Sequence, residues 1–225
     1  MRHGQGVETY SDYERVRLNN YNPSIRVVFT GEFKWNVRHG KGRMEWYGTP
    51  VVQAQFGAPP AAAPAEELVK WVEGEWKNGA RHGAFEEWTR PTGDPAQAAE
   101  VPRDSSEWVQ RIVGEYVRGK MTTGTSYWDT GQKQYEGQWS TGVSQYGQSY
   151  NSYKQGQGTF YSRSGIKVFT GTFSNDTPQG QGRLFHKGGE TPYYDGQWSN
   201  GRWRGAGSHY NRNGKLRSQG EFAAN

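Results

Sequence analysis

The 225-residue chain contains no cysteine. That excludes disulfides, thiolate zinc sites and cysteine nucleophiles together, and it suits a reducing compartment. Aliphatic residues are nearly as scarce. Four Leu, three Ile, 15 Val and nine Phe come to 31 residues, about 14% of the chain, where disorder is the usual expectation below ~20%. No run of about 18 apolar residues occurs and no apolar segment follows Met1, so neither a membrane-spanning helix nor a secretory signal is expected. On that reading the chain is intracellular and not secreted, and the glycosylation sequon Asn175-Asp176-Thr177 is accidental.

What is plentiful argues against disorder. The chain holds 10 Trp, 14 Tyr and nine Phe, 15% aromatic in all, together with 32 Gly, whereas disordered chains are poor in aromatics. Many rings and glycines with few aliphatics describe a thin sheet held by ring contacts, without a thick aliphatic core. The formal net charge of +5 permits an acidic partner, a membrane surface or nucleic acid.

A short phrase, an apolar residue two before a Gly and an aromatic two after it, recurs along the chain. It appears as Phe29-Thr-Gly31-Glu-Phe33, Val72-Glu-Gly74-Glu-Trp76, Ile112-Val-Gly114-Glu-Tyr116, Tyr135-Glu-Gly137-Gln-Trp139, Phe169-Thr-Gly171-Thr-Phe173 and Tyr194-Asp-Gly196-Gln-Trp198, with a partial copy at Gln219-Gly220-Glu221-Phe222. A second Gly follows at constant distance, at Gly40, Gly83, Gly180 and Gly205. Residues two apart share one face of a strand, so the phrase puts ring, Gly and ring on one face and polar residues on the other. The bare backbone at the Gly leaves a slot for a ring from a neighbouring strand. Asn78-Gly79 and Asn200-Gly201 are strong hairpin turns, with Arg118-Gly119 and Thr141-Gly142 as weaker equivalents. Gly48, Gly165, Gly189 and Gly214 turn the chain into the next hairpin. One repeat is one hairpin, and the whole is predicted to be all-β, a single-layer, twisted, elongated antiparallel meander.

The pattern Tyr–x–Gly–x–Trp–x–x–Gly–x–x–x–Gly–x–Gly, nearly complete from Tyr194 to Gly207, resembles the MORN (membrane occupation and recognition nexus) repeat. Phe29 to Gly42 and Phe169 to Gly182 fit well. Val72 to Trp88 has Phe85 where a Gly is expected, and Ile112 to Gly131 is looser. Residues 1–28 read as a partial repeat and N-terminal cap, and 29–225 as the array, with inserted loops at 49–70, 89–110 and 143–155. Such loops are either partner-contacting arms or loose surface. His3-Gly4-Gln5-Gly6 resembles a second strand without its first, and Gly220-Glu221-Phe222 a first strand without its second. Open sheet ends of this kind call for a cap, either from another chain or from Tyr10–Ile25.

Little points to catalysis. His3, His39 and His82 precede the same Gly of the repeat and are architectural, while His186 and His209 have no carboxylate or metal partner in sequence. The Gly-x-Gly pairs lack the helix that a phosphate loop needs. Adjacent carboxylates such as Glu66-Glu67 and Glu86-Glu87 point to opposite faces of a strand. No catalytic, cofactor or metal site is expected. Two surfaces are candidates for binding. One is a groove of aromatics, with Trp139, Phe173 and Trp198 as anchors for an extended peptide or helix, or else rings that pack only on each other. The other is a basic stripe of Arg38, Lys41, Arg43, Arg81, Lys120, Arg202 and Arg204, suited to an anionic lipid headgroup or acidic tail, or else a solvated turn region. Glu32, Glu73, Glu75 and Glu115 in the same strands argue against nucleic acid. The resemblance implies a non-catalytic scaffold or accessory subunit that contacts other proteins in a cytoskeletal, ciliary or membrane-associated complex. The alternatives are an anionic-lipid tether and a regulatory module of an enzyme complex, although no enzymatic domain accompanies the repeats and Met1 argues against a simple N-terminal cut.

Overall fold

The computed structural model describes residues 2–9, 25–48, 67–89, 108–143 and 149–223. They form fourteen strands: β1 (Gly4–Thr9), β2 (Ile25–Lys34), β3 (Val37–Gly48), β4 (Glu67–Lys77), β5 (Ala80–Thr89), β6 (Val109–Val117), β7 (Lys120–Tyr127), β8 (Lys133–Val143), β9 (Ser149–Tyr161), β10 (Lys167–Ser174), β11 (Thr177–Phe185), β12 (Pro192–Ser199), β13 (Arg202–Tyr210) and β14 (Leu216–Phe222). Strand order in the sheet follows chain order from β1 to β14, as a meander requires. Two compact units divide the chain, Met1–Val113 and Gly114–Asn225.

In each unit the repeat glycines lie opposite one another across the strands. The first unit has the row Gly6, Gly31, Gly42, Gly74, ending at Phe85. The second runs Gly124, Gly137, Gly158, Gly171, Gly182, Gly196, Gly207, Gly220 without a break. The first ring of each phrase folds over this row. A Cβ added at Gly42 would stand 2.3 Å from Phe29 Cζ, one at Gly158 2.2 Å from Tyr135 Oη, and one at Gly182 2.4 Å from Phe169 Cζ. Where the phrase begins with a smaller residue, a neighbour supplies the bulk. Phe85 covers Gly74 beside Val72, and the Met121 side chain covers Gly114 beside Ile112. Phe85 thus replaces a glycine because its repeat lacks the first ring.

The second Gly of the repeat has a different cause. The pairing slips by a bulge between the central Gly and the following aromatic, for instance between Gly137 and Trp139. Gly156, opposite that slip, has φ +73, a backbone that glycine adopts at little cost. The polar residue of the phrase closes the bulge: Gln138 Oε1 accepts from Gln157 N at 2.9 Å, as Glu32 Oε1 accepts from Lys41 N at 3.0 Å.

Among the described residues, five two-residue turns with positive φ at both positions join hairpin strands: Trp35-Asn36, Asn78-Gly79, Arg118-Gly119, Asn175-Asp176 and Asn200-Gly201. Thr141-Gly142, expected as a turn, is strand instead. Thr141 pairs with Ser152 and their hydroxyls are 3.0 Å apart. The expected loop 143–155 is therefore mostly hairpin, because Val143 and residues 149–155 prolong β8 and β9, leaving 144–148 outside the described residues. The other two insertions are also shorter than expected: residues 67–70 open β4, so the first ends sooner, and Thr89 closes β5 while residues 109–110 open β6, so the second begins later and ends sooner. Their remaining parts, 49–66 and 90–107, and the expected cap 10–24 lie outside the described residues. Ile25–Val28, assigned to the cap, belong to β2, and β1 pairs with that strand as a second strand should. Gly165, Gly189 and Gly214 occupy the expected turns, while Gly48 ends β3.

Candidate interaction faces

The expected aromatic groove is filled by its own rings. In the second unit they alternate edge to face: Trp139 on Tyr135 (5.0 Å between centroids, 90°), Tyr135 on Phe173 (5.2 Å, 86°), Phe173 on Phe169 (5.1 Å, 86°), Phe169 on Trp198 (5.1 Å, 81°) and Trp198 on Tyr194 (5.5 Å, 79°). This is the favoured geometry for aromatic quadrupoles. Indole N–H groups donate to repeat-Gly carbonyls, Trp139 to Gly124 at 3.0 Å and Trp198 to Gly182 at 2.9 Å. Phe173 is 3% exposed and Trp198 7%, and only Trp139 is half-buried. The sequence offered two roles for these three residues, and the structure places Phe173 and Trp198 in the core.

The basic stripe splits between the two faces. Arg38 pairs in register with Phe33, and Arg81 with Trp76, so both lie on the glycine face, with Arg38 over Trp76 at 4.8 Å and Arg81 over Phe85 at 5.5 Å. Lys41 and Arg43 flank Gly42 and so point the other way. Lys120, Arg202 and Arg204 belong to the second unit and are exposed.

That other face of the first unit carries a cluster that sequence reading missed. Arg26 lies over the Tyr47 ring at 4.2 Å, and Tyr47 Oη donates to Glu45 at 2.8 Å. The Arg43 guanidinium lies 4.0 Å from the Trp71 ring centroid and pairs with Glu45 (3.1 Å) and Glu73 (3.4 Å). Trp71 stacks on Trp88 (5.6 Å, 18°) and meets Trp108 at 6.5 Å. Trp88 Nε1 donates to Glu86 at 3.1 Å, whereas Trp71 Nε1 is buried with no hydrogen-bond partner among the described residues. The available signal was parity: Trp71 precedes Val72, so it belongs to the face opposite the repeat glycines.

Two phenols give the second unit a pH signature. Burial first, then the nearby Asp176 charge, pushes Tyr135 from its ordinary 10.0 to about 12. Burial and a 2.5 Å bond to Glu136 push Tyr161 to about 12 as well. Hydrogen bonds from Lys133 and Tyr161 in turn hold Glu136 below the usual carboxylate range. Because both folded phenols ionise above the unfolded value, the stability they contribute is complete below pH 10.0 and is lost as pH rises towards about 12. Melting temperatures from pH ~9 to ~11.5 should therefore fall steeply in the native chain and less steeply in Tyr135→Phe, a residue already present in sister repeats at Phe29 and Phe169. Equal slopes would contradict the assignment.

A family model for the MORN repeat matches residues 1–15, 29–48, 73–84, 146–167, 169–190 and 194–215, together half of the chain. No curated protein matches the chain. Among the described residues no helix is long and apolar enough to cross a membrane, and no group of three or more His, Cys, Asp or Glu could hold a metal ion.

Proposed function

Since the chain belongs to the MORN-repeat family, whose repeats occur in proteins that engage other proteins or membrane lipids, we propose that it is a non-catalytic scaffold or accessory subunit. Its role on this reading is to hold another protein in a larger assembly, cytoskeletal, ciliary or membrane-associated. The observation that supports this is the first unit's arginine–aromatic face. The glycine face spends its rings on the sheet's own core, but Tyr47, Trp71 and Trp88 remain half-buried on the opposite face. Aromatic and Arg side chains are the residues that most often anchor protein interfaces, because they offer large contact area at small entropic cost. Arg26 and Arg43 beside Glu45, Glu73 and Glu86 suit an extended peptide or helix that carries apolar anchors flanked by charge. Purification of the tagged protein from its own cells should recover a stoichiometric partner. Trp88→Leu should weaken that complex at least tenfold, about 1.4 kcal/mol, with little change in melting temperature. Undiminished recovery of the same partner with Trp88→Leu would sink this reading.

The exposed cations Lys41, Arg202 and Arg204 support a second reading, an anionic-lipid tether. Flotation of liposomes with and without phosphoinositides separates the two, because the scaffold reading expects no lipid-dependent shift.

A further inference from the structure

We infer that the turns linking the last hairpins of the second unit form a binding site for a phosphomonoester dianion. The four inter-hairpin turns of this unit are closed alike: Trp128 N donates to Gln132 O (2.8 Å), Ser162 N to Ile166 O (2.8 Å), His186 N to Thr191 O (2.9 Å) and Asn211 N to Lys215 O (2.9 Å). A ring nitrogen joins them in pairs. Trp128 Nε1 donates to Tyr161 O at 3.1 Å, and His186 Nε2 stands 3.2 Å from Tyr210 O. In the first pair Arg163 lies over the Trp128 ring at 4.9 Å and its charge is met by Asp129 at 2.5 Å. In the second pair the place of Arg163 is taken by Arg212 and that of Asp129 by Lys187. The guanidinium is kept and its carboxylate is replaced by a cation. Among the described residues neither Arg212 nor Arg217 has a carboxylate within ion-pair distance.

The same turns border an open recess of about 460 Å³ whose wall includes His186, Tyr193, His209, Arg212, Asn213 and Arg217, and no carboxylate. His209 packs against Tyr193 (4.7 Å, 82°) and Trp203 (5.9 Å), and its buried Nε2 has no hydrogen-bond partner among the described residues. The turn bearing Arg212 is set in advance, because Asn211 Oδ1 accepts from Asn213 N (3.0 Å) and Lys215 N (2.9 Å). Less ordering therefore opposes binding. The recess is far larger than a carboxylate, and two guanidinium forks suit the oxygens of a phosphate. The flat walls of Tyr193 and the imidazoles accommodate the organic part. None of the residues of the first unit's arginine–aromatic face takes part.

The test titrates the full chain with glycerol phosphate by calorimetry, with acetate as a monoanionic control, and in a parallel arm with vesicles carrying a lipid with a phosphomonoester headgroup. Glycerol phosphate should bind and acetate should not. The double variant Arg212→Ala/Arg217→Ala should bind at least tenfold more weakly with an unchanged melting temperature, since both side chains are exposed. Saturation by the soluble ester marks a free metabolite as the source of the phosphate, and binding to vesicles alone marks a lipid headgroup. Silence in both arms, or binding that the double variant retains, would overturn the site.

Discussion

Gly182→Ala should destabilise the second unit by about 3 kcal/mol, the upper range for overpacking a core. The new methyl would stand 2.4 Å from Phe169 Cζ, 2.6 Å from Cε2 and 3.3 Å from Trp198 Cδ1. Neither ring has room to withdraw, because Phe169 is held edge to face between Phe173 and Trp198. Backbone strain is not the cause, so the effect belongs to the ring and can be relieved there. Phe169→Leu removes the atoms that clash, and the double variant should be more stable than the sum of the two single changes by about 1 kcal/mol or more. Gly131→Ala is the control, with φ +77 and nothing near the added methyl, and should cost only about 1 kcal/mol. Urea unfolding measures all four. Strict additivity of the Gly182 and Phe169 changes would mean that the ring does not rest on the glycine.

Trp198→Ala should cost roughly 3–5 kcal/mol. It empties the space of a ring that is 7% exposed, breaks edge-to-face contacts with Phe169 and Tyr194, and removes the hydrogen bond that its indole N–H donates to the Gly182 carbonyl at 2.9 Å. Trp139→Ala should cost less, because Trp139 is only half-buried. A Trp198→Ala protein with a nearly unchanged unfolding midpoint but weakened association would return Trp198 to the role of partner anchor.

Period-two spacing of rings and glycines was enough to read the hairpins, the strand order and the slot over each glycine. A strand's faces are set by parity, and six copies repeat the same parity. The turn at Asn200-Gly201 was legible for a similar reason, since φ > 0 at both positions favours that pair of residues. Trp35-Asn36 and Asn175-Asp176 escaped notice because neither contains the glycine that marks such turns; strand pairing on both sides holds them in the same conformation. Thr141-Gly142 misled in the opposite direction. Local turn chemistry favoured a turn there, but pairing with Ser152 prevailed.

The candidate site divides along the same line. Residue types and their positions along each strand are local properties, so the sequence by itself determined that the chain is an all-β array of MORN hairpins and which residues share a face. Whether a ring is spent on the core or left at the surface depends on what stands across from it two strands away. Tertiary structure alone therefore decided that Phe173 and Trp198 are interior and that Trp71 and Trp88 stack. The recess beside Arg212 had the same origin. Its histidines lie 23 positions apart along the chain, and they meet because each repeat is laid against the last in register, so that equivalent turns come together in space.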